Sequence, residues 1–220
     1  MDFTIVFFRF FILFLIYSFI GWLFEVLLTI FKEHKYINRG FLIGPIVPIW
    51  GTGAILITLI LKEKDGIFNL LVSSAFIGTF LEYVVNVLME RIFKARWWDY
   101  SHLPFNINGR VWLGSSILFG IGGMYVILYL NPLFSSLINS LNNDKIIYFG
   151  FILLFILLMD IAVSCNIIKK LKLSAYSMKK DYTEEVSNKV RAILKEKSYS
   201  FNRLIKAFPD VNFLFKGKKN

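Results

Sequence analysis

Phe19-Ile20-Gly21-Trp22-Leu23-Phe24-Glu25 and Phe76-Ile77-Gly78-Thr79-Phe80-Leu81-Glu82 set one Phe-Ile-Gly phrase at the same spacing from a glutamate, each inside a long apolar run. Each run leads through a basic loop into a second apolar run that opens on a matched phrase. Asn38-Arg39-Gly40-Phe41-Leu42-Ile43-Gly44 lies beside Asn108-Gly109-Arg110-Val111-Trp112-Leu113-Gly114, with Gly53 and Gly123 in the same register. A carboxylate in an apolar, lipid-embedded helix is costly. Its recurrence at matched depth marks these runs as the place to look for function.

The surrounding composition is that of a bilayer protein. The 220 residues are 56% hydrophobic with 24 Phe, and the mean hydropathy is +0.61, too apolar for a soluble domain with a polar surface. About 20 apolar residues span the hydrocarbon core as a helix. Five stretches meet that length, about 8–31, 43–61, 68–89, 111–130 and 146–168. The fold class expected is therefore an all-α integral membrane protein with five transmembrane helices. The region before and at the start of the first stretch holds Asp2 and Arg9, Glu25 and Lys32 sit where processing would occur, and no small-residue cleavage site follows, so it is read as a retained helix and not a leader. Cys165 is the only cysteine, and His34 and His102 stand alone in loops. No disulfide framework, metal site or cofactor is expected.

Lys and Arg set the orientation, because basic loops stay cytoplasmic. Lys32, Lys35 and Arg39 follow the first stretch; Arg91, Lys94, Arg96 and Arg110 follow the third; the largest basic cluster begins at Lys169. This predicts a multi-pass protein of the cell (plasma) membrane, with the N-terminus outside and the C-terminus cytoplasmic. The net charge of +10 is then a topology signal that anionic lipid would complement, and nucleic-acid binding is not expected. Helices one to four read as two parallel helix-hairpin repeats, about 10–66 and 67–137, related by an axis along the membrane normal. A fifth helix completes a transmembrane domain over 1–168, and 169–220 is a basic cytoplasmic tail. In the tail, Val186, Val190, Ile193 and Leu194 form one apolar stripe, and Phe201, Leu204, Ile205 and Phe208 another, with Ser200 as N-cap and Pro209 as stop.

Gly21 and Glu25 share a helix face, as do Gly78 and Glu82. The glycines admit a neighbouring helix and so turn the acids toward protein. Both carboxylates lie about 10 Å inside the cytoplasmic boundary, and Asp160 lies at a similar depth in the fifth helix. Arg39 and Arg110, at the starts of the following helices, are the expected partners of Glu25 and Glu82 through carboxylate forks. With Asn38 and Asn108 these residues make up a candidate intramembrane polar centre. It is either a set of register-fixing ion pairs or a substrate or ion pathway. Gly44, Pro45 and Pro48 predict a kinked or broken start to the second helix, and Gly114 holds the matching place in the fourth. Trp97, Trp98, Asp99 and Tyr100 form an aromatic loop suited either to the headgroup level or to a cytosolic partner.

No Gly-x-x-x-x-Gly-Lys-Ser/Thr loop, His-Glu-x-x-His pattern or Gly-x-Ser-x-Gly elbow occurs, so the chain is not expected to be an enzyme. An intramembrane acid or base at Glu25, Glu82 or Asp160 is the remaining catalytic alternative.

Tyr17-Ser18-Phe19-Ile20-Gly21-Trp22 with Glu25, Asn38-Arg39-Gly40-Phe41-Leu42, Gly44-Pro45 and Pro48-Ile49-Trp50-Gly51 together resemble the CmpB-like putative ABC-transporter permease family. Leu81-Glu82-Tyr83, Trp97-Trp98-Asp99-Tyr100-Ser101, Phe105-Asn106-Ile107, Gly109-Arg110 and Ala207-Phe208-Pro209 extend the resemblance over about residues 10–210. Where the family has Tyr in a Pro-Ile-Tyr-Gly phrase, this chain has Trp50, which keeps the ring and loses the hydroxyl. The resemblance implies a permease-like subunit of an ABC-type transporter acting with a separate cytosolic ATPase, its substrate defined by no motif. The alternative is a non-transporting membrane scaffold or regulator that recruits a cytosolic partner or anionic lipid through its basic loops and tail. Homo-oligomerisation is left open by both.

Overall fold

The computed structural model describes residues 2–179, 199–208 and 212–213, with side chains described up to Leu171 in the long C-terminal helix. It is mostly helical. Helix α1 (Phe3–Glu33) is opened by the Asp2 carboxylate, which accepts from the Thr4 amide at 3.0 Å. It is closed by His34 in the left-handed region at φ 53°, whose amide returns to the Ile30 carbonyl. Helix α2 is Pro48–Ile60, α3 is Ile67–Phe93 and α4 is Leu113–Tyr125. A π-helical turn, Val126–Leu130, joins α4 to α5 (Asn131–Asn139), and α6 covers Asn143–Lys179. The π-turn sits where Pro132 lacks an amide and its ring crowds the preceding carbonyls, and widening that turn keeps the rod continuous.

Four helical rods are long and apolar enough to cross a membrane: α1, α3, the α4–α5 rod Leu113–Asn139, and Asn143–Leu171 of α6. The second of the five expected stretches departs from expectation. Its helix has 13 residues and begins at Pro48, so residues 40–47 are not helical. Proline chemistry accounts for this. Pro45 donates no amide, Val47 ahead of Pro48 is forced extended at φ −116° and ψ 95°, and Pro48 takes the first helical position, where no amide is needed.

The tightest pairings are α1 with α2 and α3 with α4. Glycine sets each of them. Gly21 lies against the Trp50 indole and Gly51 against the Phe14 carbonyl and Ser18, while Gly78 lies against Phe119 and Gly120 against the Leu71 carbonyl and Ala75. A Cβ at these points would push the helices apart. Helix α6 closes on α1 through Phe8 and Phe151, whose rings are 4.7 Å apart.

The end of the bundle where α1 and α3 finish is covered by the loops 34–47 and 94–112 and by α7 (Tyr199–Ala207). Strand β1 (Ala95–Arg96) pairs antiparallel with β4 (Asn212–Phe213), and β2 (Asn106–Ile107) with β3 (Val111–Trp112). The β2–β3 turn is made by Asn108 and Gly109, both at positive φ, the Asn-Gly pair that a tight hairpin favours. Beneath the loops, Phe93, Ala95, Trp97, Ile168, Leu171, Leu204 and Ile205 form one apolar core, with Phe41 and Phe208 against it. Trp97 is 2% exposed and meets Phe41, Phe93 and Phe208 edge-on. The expectation that it faces headgroups or a partner is therefore corrected: Trp97 is what α7 docks onto. The 186–194 stripe of the tail lies outside the described residues. Helix α7 carries the second stripe but starts at Tyr199, with Ser200 already inside it.

Among the described residues the buried Trp97 Nε1 has no acceptor, so it is the ring's bulk that the packing uses. Trp97→Ala is expected to destabilise this end by about 3 kcal/mol and to open 199–208 to limited proteolysis in detergent. Trp97→Phe should leave the cleavage pattern close to wild type.

Candidate functional site

The inner acids of α1 and α3, Glu25 and Glu82, accept from neutral donors, and among the described residues neither forms an ion pair with a basic side chain. The Glu25 carboxylate accepts from Trp50 Nε1 at 2.8 Å. Glu82, 6% exposed, accepts from the Ser115 hydroxyl at 2.9 Å and the Tyr100 hydroxyl at 3.2 Å. Trp50 stands between the two hairpins, its ring 5.6 Å from that of Phe119. Burial pushes the Tyr100 hydroxyl above its ordinary range, and the charges of Glu82 and Glu25 push it further. Tyr100 therefore remains an O–H donor. Tyr100 thereby ties the 94–112 loop to α3, while Trp50 ties α2 to α1 through Glu25 and packs on Phe119 of α4.

The expected forks are not made. Arg39 reaches Glu33 at 3.3 Å, the Thr29 hydroxyl at 3.0 Å and the Ala207 carbonyl at 3.4 Å. Arg110 pairs with Glu90 at 2.8 Å and donates to Asn86. Glu33 and Glu90 lie two helical turns beyond Glu25 and Glu82, about 12 Å nearer the loops. At that level a guanidinium keeps more of its hydration, so pairing there costs less than carrying it inward. Among the described residues no Lys, Arg or His nitrogen comes within 4 Å of either inner carboxylate.

Asp160 does not join the cluster. Its carboxylate accepts from the Ile43 amide at 2.9 Å, the Gly44 amide at 2.8 Å and the Ser164 hydroxyl at 3.0 Å, capping the break ahead of α2. A Cβ on Gly44 would come within 2.8 Å of that carboxylate. From the other side Arg203 of α7 donates to the carbonyls of Gly40 at 3.0 Å, Leu42 at 2.9 Å and Phe41 at 3.4 Å. Asn38 also belongs to this loop, accepting from Trp22 Nε1 at 2.8 Å and donating to the Ile43 carbonyl. Asn108 is a turn residue that donates to the Tyr83 hydroxyl. Gly114 faces the Trp112 indole of its own segment.

In the aromatic loop only Tyr100 enters the cluster. Trp98 Nε1 donates to the Arg110 carbonyl at 3.0 Å. Asp99 holds its turn together through the Ser101 hydroxyl, which keeps the Asp99 carboxyl below its ordinary range, with Arg96 at 3.3 Å. Sequence reasoning missed Trp50 as a donor, Ser115, Glu33, Glu90 and Arg203. A signal for two of these was present, since Glu33 and Glu90 follow Glu25 and Glu82 at the same interval.

Removing an acceptor that serves buried amides should be felt as lost stability. Asp160→Ala is expected to destabilise the protein by about 2 kcal/mol and to expose 40–47 to protease. Asp160→Asn, which keeps an acceptor oxygen, should lose less than half of that in the same thermal-melt assay.

A family described as putative ABC-transporter type IV matches residues 12–165. The matched span holds Glu25, Glu82, Trp50, Tyr100, Ser115 and Asp160 and stops short of α7. No curated protein and no solved structure matches the chain. Matched over more than half of its length and carrying four helices able to cross a bilayer, the chain belongs to the putative ABC-transporter type IV family, as a multi-pass membrane protein.

Proposed function

We propose that the chain is the permease-like membrane subunit of an ABC-type transporter in the plasma membrane, and that nucleotide hydrolysis falls to a separate cytosolic ATPase. The observation that carries this reading is the pair of inner carboxylates, Glu25 and Glu82, each hydrogen-bonded, among the described residues, by neutral donors alone. A buried carboxylate without a counter-charge calls for a proton or a cationic group as its missing partner, and such a partner arriving with a substrate or an ion makes the pair a passage site. In this reading the basic end is cytoplasmic, the N-terminus lies outside, and α2 with the non-helical 40–47 segment makes a fifth crossing.

A duplicated hairpin underlies the proposal. The step in sequence that carries Gly21 to Gly78 and Glu25 to Glu82 also carries Phe14 to Leu71, Ser18 to Ala75, Thr29 to Asn86 and Glu33 to Glu90. These are the residues that Gly51 and Gly120, and Arg39 and Arg110, respectively touch. Matched contacts of this kind support a parallel repeat. Between α2 and α4 the contacts correspond as Trp50 to Phe119 and Gly51 to Gly120, one residue off the register of the Gly44 and Gly114 phrases.

The scaffold or regulator reading draws on a different observation, the docking of α7 into both basic loops through Arg203 and the Trp97 core. The two readings separate by experiment. Under the permease reading, affinity purification from native membrane in mild detergent recovers a nucleotide-hydrolysing partner. Glu25→Gln with Glu82→Gln is expected to lower the complex's ATPase turnover by about tenfold, within the usual range of coupling between sites, while replacing Lys169 and Lys170 has little effect. Recovery of no such partner, or the reverse order of severity, would overturn the permease reading.

A further inference from the structure

At the opposite end of the bundle, where α1 begins, a cavity of about 290 Å³ opens between α1, α2 and α5. Phe10, Leu13 and Ile138 supply its apolar wall, and Arg9, Thr58 and Asn131 part of its polar wall. Arg9 sits in the apolar run of α1, about 24 Å along the helix from Glu25. Its Nη1 donates to the Asn139 side-chain oxygen at 2.9 Å and its Nη2 to that of Asn143 at 3.1 Å. Both acceptors are neutral, and among the described residues no carboxylate pairs with this guanidinium.

Two further observations converge on the same space. The Arg9 Nε and the Thr58 hydroxyl are both buried and, among the described residues, neither has a hydrogen-bond partner. Asn131 already uses its oxygen to accept from Tyr17 and Ser135, each at 3.3 Å, so what it has left to offer is an N–H donor. The cavity thus combines an unneutralised cation with spare donors, a set that fits an acceptor carrying negative charge and rejects a cation. Its volume suits a single head group with an apolar body against the Phe10 side, being just below the size of pockets for drug-sized molecules.

We propose that this cavity binds an oxyanion, a phosphate or carboxylate group, with Arg9 as the cation and Thr58 and Asn131 as neutral donors. The group comes either from an anionic lipid of the surrounding leaflet or from a small water-soluble molecule. The binding is independent of the Glu25–Glu82 cluster and stands whether or not the chain moves a substrate.

The test uses the purified full chain with two probes. Native mass spectrometry measures retention of phosphatidylglycerol against phosphatidylcholine, and thermal shift measures stabilisation by inorganic phosphate. The wild type is expected to prefer phosphatidylglycerol, if the source is lipid, or to be stabilised by phosphate, if it is soluble. Arg9→Gln should weaken whichever response is seen by about 30-fold, the loss typical of removing one partner of a desolvated charge pair. Arg9 also ties α1 to Asn139 and Asn143, so Thr58→Val, which leaves those bonds in place, is the second arm and should weaken binding several-fold. Absence of both responses in the wild type, or responses unchanged in Thr58→Val and in folded Arg9→Gln, would overturn the proposal.

Discussion

Hydrocarbon offers no hydrogen bonds, so a chain that leaves the helix at membrane depth must find partners for its backbone within the protein. This constraint governs the break ahead of α2. Pro45 and Pro48 interrupt the helix ahead of α2, residues 40–47 are not helical, and the freed groups are taken up from two sides. Asp160, inside the apolar span of α6, accepts the amides of Ile43 and Gly44, while Arg203 donates to the carbonyls of residues 40–42. The break in turn sets where α2 begins. Starting at Pro48 brings Trp50 against Gly21, with its N–H on Glu25, and lets Gly51 close on the Phe14 carbonyl.

Charge is distributed by depth. Arg39 and Arg110 satisfy Glu33 and Glu90 near the loops, where desolvation is smallest. The inner acids receive only N–H and O–H donors, and this difference separates structural ion pairs from the candidate site. The Trp50 exchange belongs here too. Read from sequence as a position that loses a hydroxyl, Trp50 presents an indole N–H and so supplies a donor to Glu25.

Much of the site was legible in particular residues. Gly21 and Gly78 predicted close helix approach, and Trp50 and Phe119 are what approach them. Glu25 and Glu82 were singled out from spacing alone, and each accepts from neutral donors on a neighbouring segment. Asp160 was grouped with the two glutamates by depth, yet it caps the 43–44 amides, because depth along a helix says nothing of which neighbour its side chain meets. The Arg39 and Arg110 forks failed for a related reason: a long side chain has several carboxylates in range, and hydration selects the outer one. Trp97 read as an interfacial aromatic because its loop is basic and polar. Only the packing of Phe41, Phe93 and α7 shows that it is core.

Apolar length, the two Gly-to-Glu phrases, the prolines and the loop charges determined by themselves that this is a helical membrane protein with paired acids and a broken second helix. These properties are local. They follow from transfer free energy and backbone chemistry over one or two turns. Which donor meets which acid, where the arginines pair, how the break is satisfied and that Arg9 faces a cavity were decided only by tertiary structure. Each of these depends on contacts between residues far apart in the chain, and helix periodicity carries no information about them.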